Sequence, residues 1–204
     1  LSMVMPGHDA VVHFAAESHV DRSLVEPDRF VTTNCGGTAT VCRVAMEVGV
    51  GRVLHVSTDE VYGSIGEGSF VEGDPLAPSS PYSASKASSD LIALSYHETF
   101  GLPVVVTRSS NNYGRFQFPE KVIPLFVTRL LAGGRVPLYG DGRNVRDWCH
   151  VEDNCAALER VLADGEVGTV YNVGAGAEVD NLDLTRRLLD LCGADESAVQ
   201  YVAD

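Results

Sequence analysis

Two adjacent carboxylates follow a short apolar run and are the first candidates for chemistry in this sequence. The run, at 52–56, is typical of a buried strand, and it continues into Ser57, Thr58, Asp59 and Glu60. Close like charges push two pKa values apart, so such a pair can supply an acid and a base at the same pH. Two solvated charges in a turn are the alternative interpretation.

Tyr82 and Lys86 are the second candidates, because they are four residues apart in a segment with a helical pattern. That spacing places them one turn apart on the same helix face. An ammonium beside a phenol stabilises the phenolate and lowers a pKa that is normally about 10, which makes the tyrosine a base for a substrate hydroxyl. A surface tyrosine beside a solvated lysine would show the same spacing, and only the preceding strand, which ends in Ser57 and Thr58, favours chemistry.

The elements that must position these side chains alternate between valine-rich runs and helical patterns. The runs are continuously apolar, which is typical of strands covered on both faces, and we therefore expect an α/β, Rossmann-type, doubly wound parallel sheet. The predicted strands lie at 9–16, 52–57, 103–110 and 168–176, with a short strand near 136, and the predicted helices at 26–49, 82–101, 120–134, from about 151, and 181–193.

The pattern loosens after residue 111 and indicates a smaller second lobe. We predict a first domain at 1–115 and a second lobe at 116–204, with residues around 145–175 returning to the first sheet. A dinucleotide fold opens with a glycine-rich phosphate turn, and no GxGxxG occurs in these residues. Because the chain also starts abruptly and ends on "YVAD" without a closing element, we expect both termini to be truncated.

Composition limits the classes of function. A formal net charge of −13 argues against a nucleic-acid partner, and no apolar run approaches the roughly 18 residues that span a bilayer. The amino terminus also lacks the features of a signal peptide. No CxxC and no metal-ligand spacing of histidines occurs, so we expect no metal site and a cytoplasmic protein with buried, reduced thiols. The thiols are Cys35, Cys42, Cys149, Cys155 and Cys192.

Eight motifs occur in order along the chain and carry a family resemblance. Together they resemble the nucleotide-sugar branch of the extended short-chain dehydrogenase/reductase family, and within it the dTDP-glucose 4,6-dehydratases. The resemblance covers nearly all of the chain. The motifs are "HFAAESHVDRS", "STDEVYG", "YSASKASSD", "RSSNNYG", "FPEKVIP", "LYGDG", "VRDWCHVED" and "YNVG".

The resemblance implies a catalytic role for each of the first candidates. Tyr82, aided by Lys86, would take the proton of the sugar C4 hydroxyl while NAD oxidises C4, and Thr58 would hydrogen-bond the C4 oxygen. Glu60 would remove the C5 proton, and Asp59 would protonate the departing C6 hydroxyl. The product would be a 4-keto-6-deoxy sugar.

The resemblance also implies binding residues and a homodimer. NAD, rather than NADP, follows from the resemblance alone. Arg146 could clamp a diphosphate or instead pair with Asp147 or Glu152, and Tyr139 could flank thymine or belong to the core. The implied NAD contacts are Phe14, Ala15, Ala16, Glu17, Ser18, Thr33, Tyr82, Lys86 and Asn112. The implied dTDP-glucose contacts are Ser18, Thr58, Asp59, Asn111, Lys121, Val122, Pro137, Tyr139, Arg146 and Asn181.

Two other functions remain compatible with these residues. A 4-epimerase or a decarboxylase of the same family shares the tyrosine and the lysine but needs no acid/base pair for C5 and C6, so Asp59 and Glu60 favour dehydration. A non-catalytic nucleotide-sugar-binding homologue is the other alternative, but a protein that only binds its ligand would not need the whole catalytic set. That set is Thr58, Asp59, Glu60, Tyr82 and Lys86.

Overall fold

The computed structural model describes residues 1–203 and divides into two compact units. The first unit comprises Leu1–Ser109 and Cys155–Val173, and the second comprises Ser110–Asn154 and the residues from Gly174 onward. The sequence pattern predicted divisions near 115, 145 and 175, and the chain passes between the two units after residues 109, 154 and 173.

The first unit is built on a four-stranded, fully parallel sheet in the order β1-β2-β3-β7. Its valine-rich strands have the β-branched side chains that suit a pleated surface. The parallel order confirms the predicted sheet. The strands are β1 (Ala10–His13), β2 (Arg52–Thr58), β3 (Val104–Ser109) and β7 (Val170–Val173).

Helices cover both faces of this sheet, and consecutive strand residues point to opposite faces. Val53 packs with the core formed by α3 and α4, whereas its neighbour Leu54 packs with Leu158 of α6. This alternation explains why the strands are apolar at every position. The helices of the first unit are α1 (Val20–Val25), α2 (Pro27–Phe30), α3 (Gly37–Val48), α4 (Pro81–Phe100) and α6 (Val151–Asp164), whose first four residues belong to the second unit.

The helix predicted at 26–49 is interrupted. A π-helical segment, Val31–Gly36, separates α2 from α3, and the buried Asn34 lies within it. In contrast, α4 has local signals at both ends. Ser80 and Ser83 form a capping box at its start, and Gly101, with φ of 72°, ends it in the left-handed conformation that glycine adopts readily.

The second unit contains two small sheets and two long helices. The sheets are β4-β6-β8 and β5-β9, and α5 and α7 pack with the second sheet around Phe126, Leu138 and Leu188. The segment Val199–Val202 forms β9 against β5, an element that the sequence pattern did not predict. The elements are β4 (Asn111–Tyr113), α5 (Val122–Leu131), β5 (Val136–Tyr139), β6 (Val145–His150), β8 (Glu178–Asp180), α7 (Asn181–Cys192) and β9 (Val199–Val202).

The composition led to expectations about the cysteine side chains, the apolar character of the helices and the possible metal ligands. All five cysteines are free, and Cys42 and Cys149 are buried as expected, but Cys155 is exposed. Within residues 1–203, no helix combines the length and the apolar character needed to cross a membrane. The same residues contain no group of three or more histidine, cysteine or acidic side chains able to hold a metal ion.

Candidate active site

The carboxyl ends of β1 and β2 bring the first candidate residues to one edge of the parallel sheet. β1 ends at His13 and leads into the segment 14–18, in which Phe14 is 59% exposed. β2 is paired in register with β1 and ends at Thr58. Ligands of open α/β sheets bind outside the carboxyl ends of the strands, so this edge is the expected position for a site.

A single 3-10 turn, Asp59–Tyr62, carries the two carboxylates. The Thr58 hydroxyl caps the turn by accepting a hydrogen bond from the backbone N–H of Glu60 at 3.3 Å, and it lies 3.4 Å from Asp59 Oδ1. Gly63 ends the turn with φ of 85°, and a Cβ there would collide with the carbonyl oxygen of Ala77. The backbone around the carboxylates is therefore restrained on both sides.

Tyr82 lies in the first turn of α4 and faces this carboxylate turn. The hydroxyls of Thr58 and Ser18 hydrogen-bond to Tyr82, and the charges of Glu60 and Asp59 both act on it. Burial, followed by the charge of Glu60, raises the pKa of Tyr82, and the two hydroxyls partly oppose that change. The predicted lowering of the Tyr82 pKa is thus not found in this structure, because burial and the nearby carboxylates dominate.

Lys86 lies one turn further along α4 and is 5% exposed. Its Nζ donates a hydrogen bond to the carbonyl oxygen of Val56 on β2 at 2.8 Å. Burial lowers the pKa of Lys86, and the charge of Asp90 opposes this shift. The ammonium is therefore anchored to the sheet beneath the site.

Asn34 connects the segment after β1 to α4 and was missed by the sequence analysis. Its side chain accepts from the backbone N–H of Glu17 at 2.7 Å and donates to the Glu17 carbonyl at 3.1 Å. It also donates to the Ser85 hydroxyl at 2.8 Å. Thr33, its neighbour in the π-helical segment, is exposed. The signal in the sequence was an asparagine within the helical pattern predicted at 26–49.

Several of the predicted nucleotide-sugar contacts are gathered within the second unit. Tyr139 and Arg146 flank a turn whose Asn144 carbonyl accepts from the backbone N–H of Asn181. Tyr139 is 51% exposed, which argues against a place in the core. The other predicted nucleotide-sugar contacts of this unit are Asn111 on β4, Lys121 at the start of α5, Val122 in α5 and Pro137 on β5, and the predicted NAD contact Asn112 also lies on β4.

Arg146 is exposed, and in the described part of the chain no ion pair joins it to Asp147 or Glu152. The Asp147 carboxylate instead accepts the backbone N–H groups of Ala175 at 2.8 Å and Ala177 at 2.6 Å. Burial would raise the pKa of Asp147, but hydrogen bonds from Ser110 and from these N–H groups outweigh it and lower the pKa. Asp147 thus stabilises a loop rather than Arg146.

A buried polar group behind the site was also missed. Asp90 is fully buried, with its carboxylate 3.0 Å from Arg108 Nε and 3.3 Å from His55 Nε2. Arg108 also donates to the Tyr62 hydroxyl at 2.7 Å. An arginine within a valine-rich strand, and an acidic residue four positions after Lys86, were the available signals.

Comparison with known proteins identifies the family. The profile of the family described as GDP-mannose 4,6 dehydratase matches residues 3–203. The dTDP-glucose 4,6-dehydratase of Actinoplanes sp. is 60% identical over 98% of this chain, and that of Streptomyces antibioticus is also 60% identical over 98%. The chain spans 63% and 60%, respectively, of the lengths of these curated relatives.

A solved structure gives the same result for the fold. The crystal structure of the dTDP-glucose 4,6-dehydratase DesIV from Streptomyces venezuelae, with NAD bound, superposes with a TM-score of 0.98 at 58% identity. It is matched over 100% of this chain and 63% of its own length. The fold and the site thus define an extended short-chain dehydrogenase/reductase of the nucleotide-sugar branch, as predicted. Within that class, the chain belongs to the GDP-mannose 4,6 dehydratase family.

Proposed function

We propose that this chain carries the catalytic residues of an NAD-dependent dTDP-glucose 4,6-dehydratase. The observation that supports the proposal most directly is the arrangement around Tyr82. Its hydroxyl is bonded to Thr58 and Ser18 and faces the charges of Asp59 and Glu60. This arrangement supports Tyr82 as a base for a sugar hydroxyl and the two carboxylates as the acid and the base of an elimination.

The residues of the first unit fit NAD. Phe14 is exposed just beyond the end of β1, where parallel sheets bind dinucleotides. Lys86 uses one donor on Val56, and its other two N–H groups suit the hydroxyls of a ribose. Bound there, NAD would accept a hydride from the sugar and return it.

In the first half of the reaction, Tyr82 would accept the proton of the C4 hydroxyl, and Thr58 would donate a hydrogen bond to the C4 oxygen. Because burial raises the pKa of Tyr82, the residue is a phenol near neutral pH in this structure. The proposal therefore requires that ligand binding lower its pKa, and hydroxyl donors such as Ser18 and Thr58 already favour the phenolate.

In the second half, Glu60 would remove the C5 proton, which the neighbouring ketone acidifies. Asp59 would donate a proton to the C6 hydroxyl, which leaves as water. C6 would then receive the hydride that was taken from C4, and Glu60 would return a proton to C5, so that the product is a 4-keto-6-deoxy sugar. This sequence of proton transfers is supported by the 3-10 turn, which carries both carboxylates, and by the effect of their charges on Tyr82.

The remaining parts of the proposal concern binding and assembly. Within the second unit, Asn111, Lys121, Val122, Pro137 and Asn181 would contact the nucleotide sugar, with Arg146 on the diphosphate and Tyr139 on the base. Arg146 is exposed and Tyr139 half-exposed, so both are accessible to a ligand. Asn112 would contact NAD. We further propose a cytoplasmic homodimer.

The decisive experiment follows the two halves of the reaction separately. The complete protein is incubated with dTDP-glucose in deuterated water, and the 4-keto product and deuterium at C5 are measured. Glu60→Gln should lower C5 exchange about 100-fold or more, a typical contribution of a general base, while C4 oxidation continues. The control, Glu67→Gln, changes an exposed glutamate of the following loop and should behave as wild type.

The same experiment distinguishes the alternatives. A 4-epimerase would invert C4 without C5 exchange, and a decarboxylase would release carbon dioxide from a uronic acid substrate. A non-catalytic homologue would bind the nucleotide sugar without converting it. Unchanged C5 exchange in Glu60→Gln would contradict the role of Glu60.

A further inference from the structure

Behind the carboxylate turn lies a buried pair of opposite charges. Asp90 is fully buried and Arg108 is 4% exposed, and their closest atoms, Oδ2 and Nε, are 3.0 Å apart. Taking two charges out of water is costly, and their attraction compensates only when the other polar atoms are also bonded. The partners of Arg108 therefore indicate what the pair holds in place.

The principal further partner of Arg108 is Tyr62. Arg108 NH1 donates to the Tyr62 hydroxyl at 2.7 Å, and that hydroxyl donates to Asn172 Oδ1 at 2.8 Å. The Tyr62 ring stacks on Phe70 with centroids 4.9 Å apart, and the Arg108 guanidinium lies 4.8 Å from the ring centroid. Tyr62 is 2% exposed. Both its ring and its hydroxyl are thus held.

Tyr62 is the last residue of the turn that carries Asp59 and Glu60. Thr58 holds the first end of this turn through its bond to the Glu60 N–H. We propose that Tyr62, fixed by Arg108 and Asp90, is a positioning residue that sets the Asp59–Glu60 turn for the elimination step. This inference rests on the proposed function.

Packing alone does not account for the tyrosine. Phenylalanine would make the same ring contact with Phe70, but it would leave the Arg108 N–H and the Asn172 oxygen without this partner. Hydrogen bonds to a charged group are among the stronger ones in proteins, and a buried donor left unpaired is costly. The hydroxyl therefore restrains the turn in a way that the ring does not.

Tyr62→Phe tests the proposal in the full-length protein. Dehydration and C5 exchange should fall at least about tenfold in kcat, which corresponds to the loss of one charge-assisted hydrogen bond, while KM and C4 oxidation change less than about twofold. The control is Tyr171→Phe, since Tyr171 accepts from the Glu166 N–H in another part of the first unit. This control should leave every step unchanged.

Hydrogen–deuterium exchange gives a readout that does not depend on activity. In Tyr62→Phe, the amides of Glu60 and Gly63 should exchange faster, because they bond to Thr58 Oγ1 and to the Glu60 carbonyl within the turn. The amides of β3 should be unaffected. If Tyr62→Phe expresses poorly, Asn172→Ala removes the other hydroxyl partner and should give the same local increase.

Two outcomes would overturn the proposal. One is a proportional loss of C4 oxidation and dehydration, which a general loss of folding would produce. The other is unchanged exchange of the amides at 59–63. If the wild-type protein forms no 4-keto product from dTDP-glucose, the proposed function fails, and the exchange experiment still decides whether the Tyr62 hydroxyl holds the turn.

Discussion

Replacing Asp90 by asparagine should destabilise the first unit far more than the same change on the surface. Asparagine has nearly the same size and can still accept from Arg108 Nε, but it removes the charge that faces a guanidinium only 4% exposed. His55, 3.3 Å from Asp90 and also buried, loses the same negative charge. The change isolates the electrostatic part of the interaction.

The expected loss in the free energy of unfolding follows from the burial of the ion pair. Breaking a buried ion pair by removing one partner costs about 3–5 kcal/mol, and the hydrogen bond that asparagine retains places the expected loss near the lower end, at about 3 kcal/mol. Domains are typically stable by about 5–15 kcal/mol, so this loss is a large fraction of the total. Asp164 provides the matched control, because it pairs with Arg160 at 2.9 Å but their side chains are 58% and 81% exposed. Asp164→Asn should cost less than about 1 kcal/mol.

Urea-induced unfolding of the full-length protein, followed by circular dichroism, measures both free energies. A double variant, Asp90→Asn with Arg108→Met, should be less destabilised than the sum of the single changes, because it removes both charges. If Asp90→Asn costs no more than Asp164→Asn, the buried pair does not stabilise the protein as argued.

The remaining predictions concern pH and backbone conformation. Burial, with the nearby charge of His55, lowers the pKa of His13 to about 4. Between pH 6.5 and pH 4 the unfolded chain therefore binds more protons than the folded protein. Lowering the pH through this range should reduce the free energy of unfolding by up to about 3 kcal/mol. His13→Gln should flatten that dependence in unfolding experiments, and an unchanged slope would exclude His13 as its source. Gly63→Ala should lower the melting temperature and dehydration much more than Gly68→Ala, since the two φ values are similar but only at Gly63 would a Cβ collide, with the Ala77 carbonyl. Equal effects would show that the collision is relieved.

The sequence was most informative where a signal is short-range. The strands β2 and β3, the helix α4 with its capping serines and closing glycine, and the spacing of Tyr82 and Lys86 all depend on residues a few positions apart. Local propensity and periodicity determine such features, and they were sufficient for the predicted sheet and the candidate residues. The resemblance of eight motifs then indicated the family that the comparisons establish.

Only the tertiary structure revealed the contacts, the strand pairing and the pKa shifts that depend on residues far apart in the sequence. Arg108 and Tyr62 are 46 positions apart, and Tyr62 and Asn172 are 110 apart, so no local pattern predicted that they hold the carboxylate turn. The strand β9 is recognised through its pairing with β5, more than 60 positions earlier. The direction of the Tyr82 pKa shift also depends on burial and on Glu60, which the spacing to Lys86 does not reveal. Spacing along the chain and the resemblance of the motifs indicated the candidate chemical groups, but the environment that sets their charge and position exists only in the folded protein.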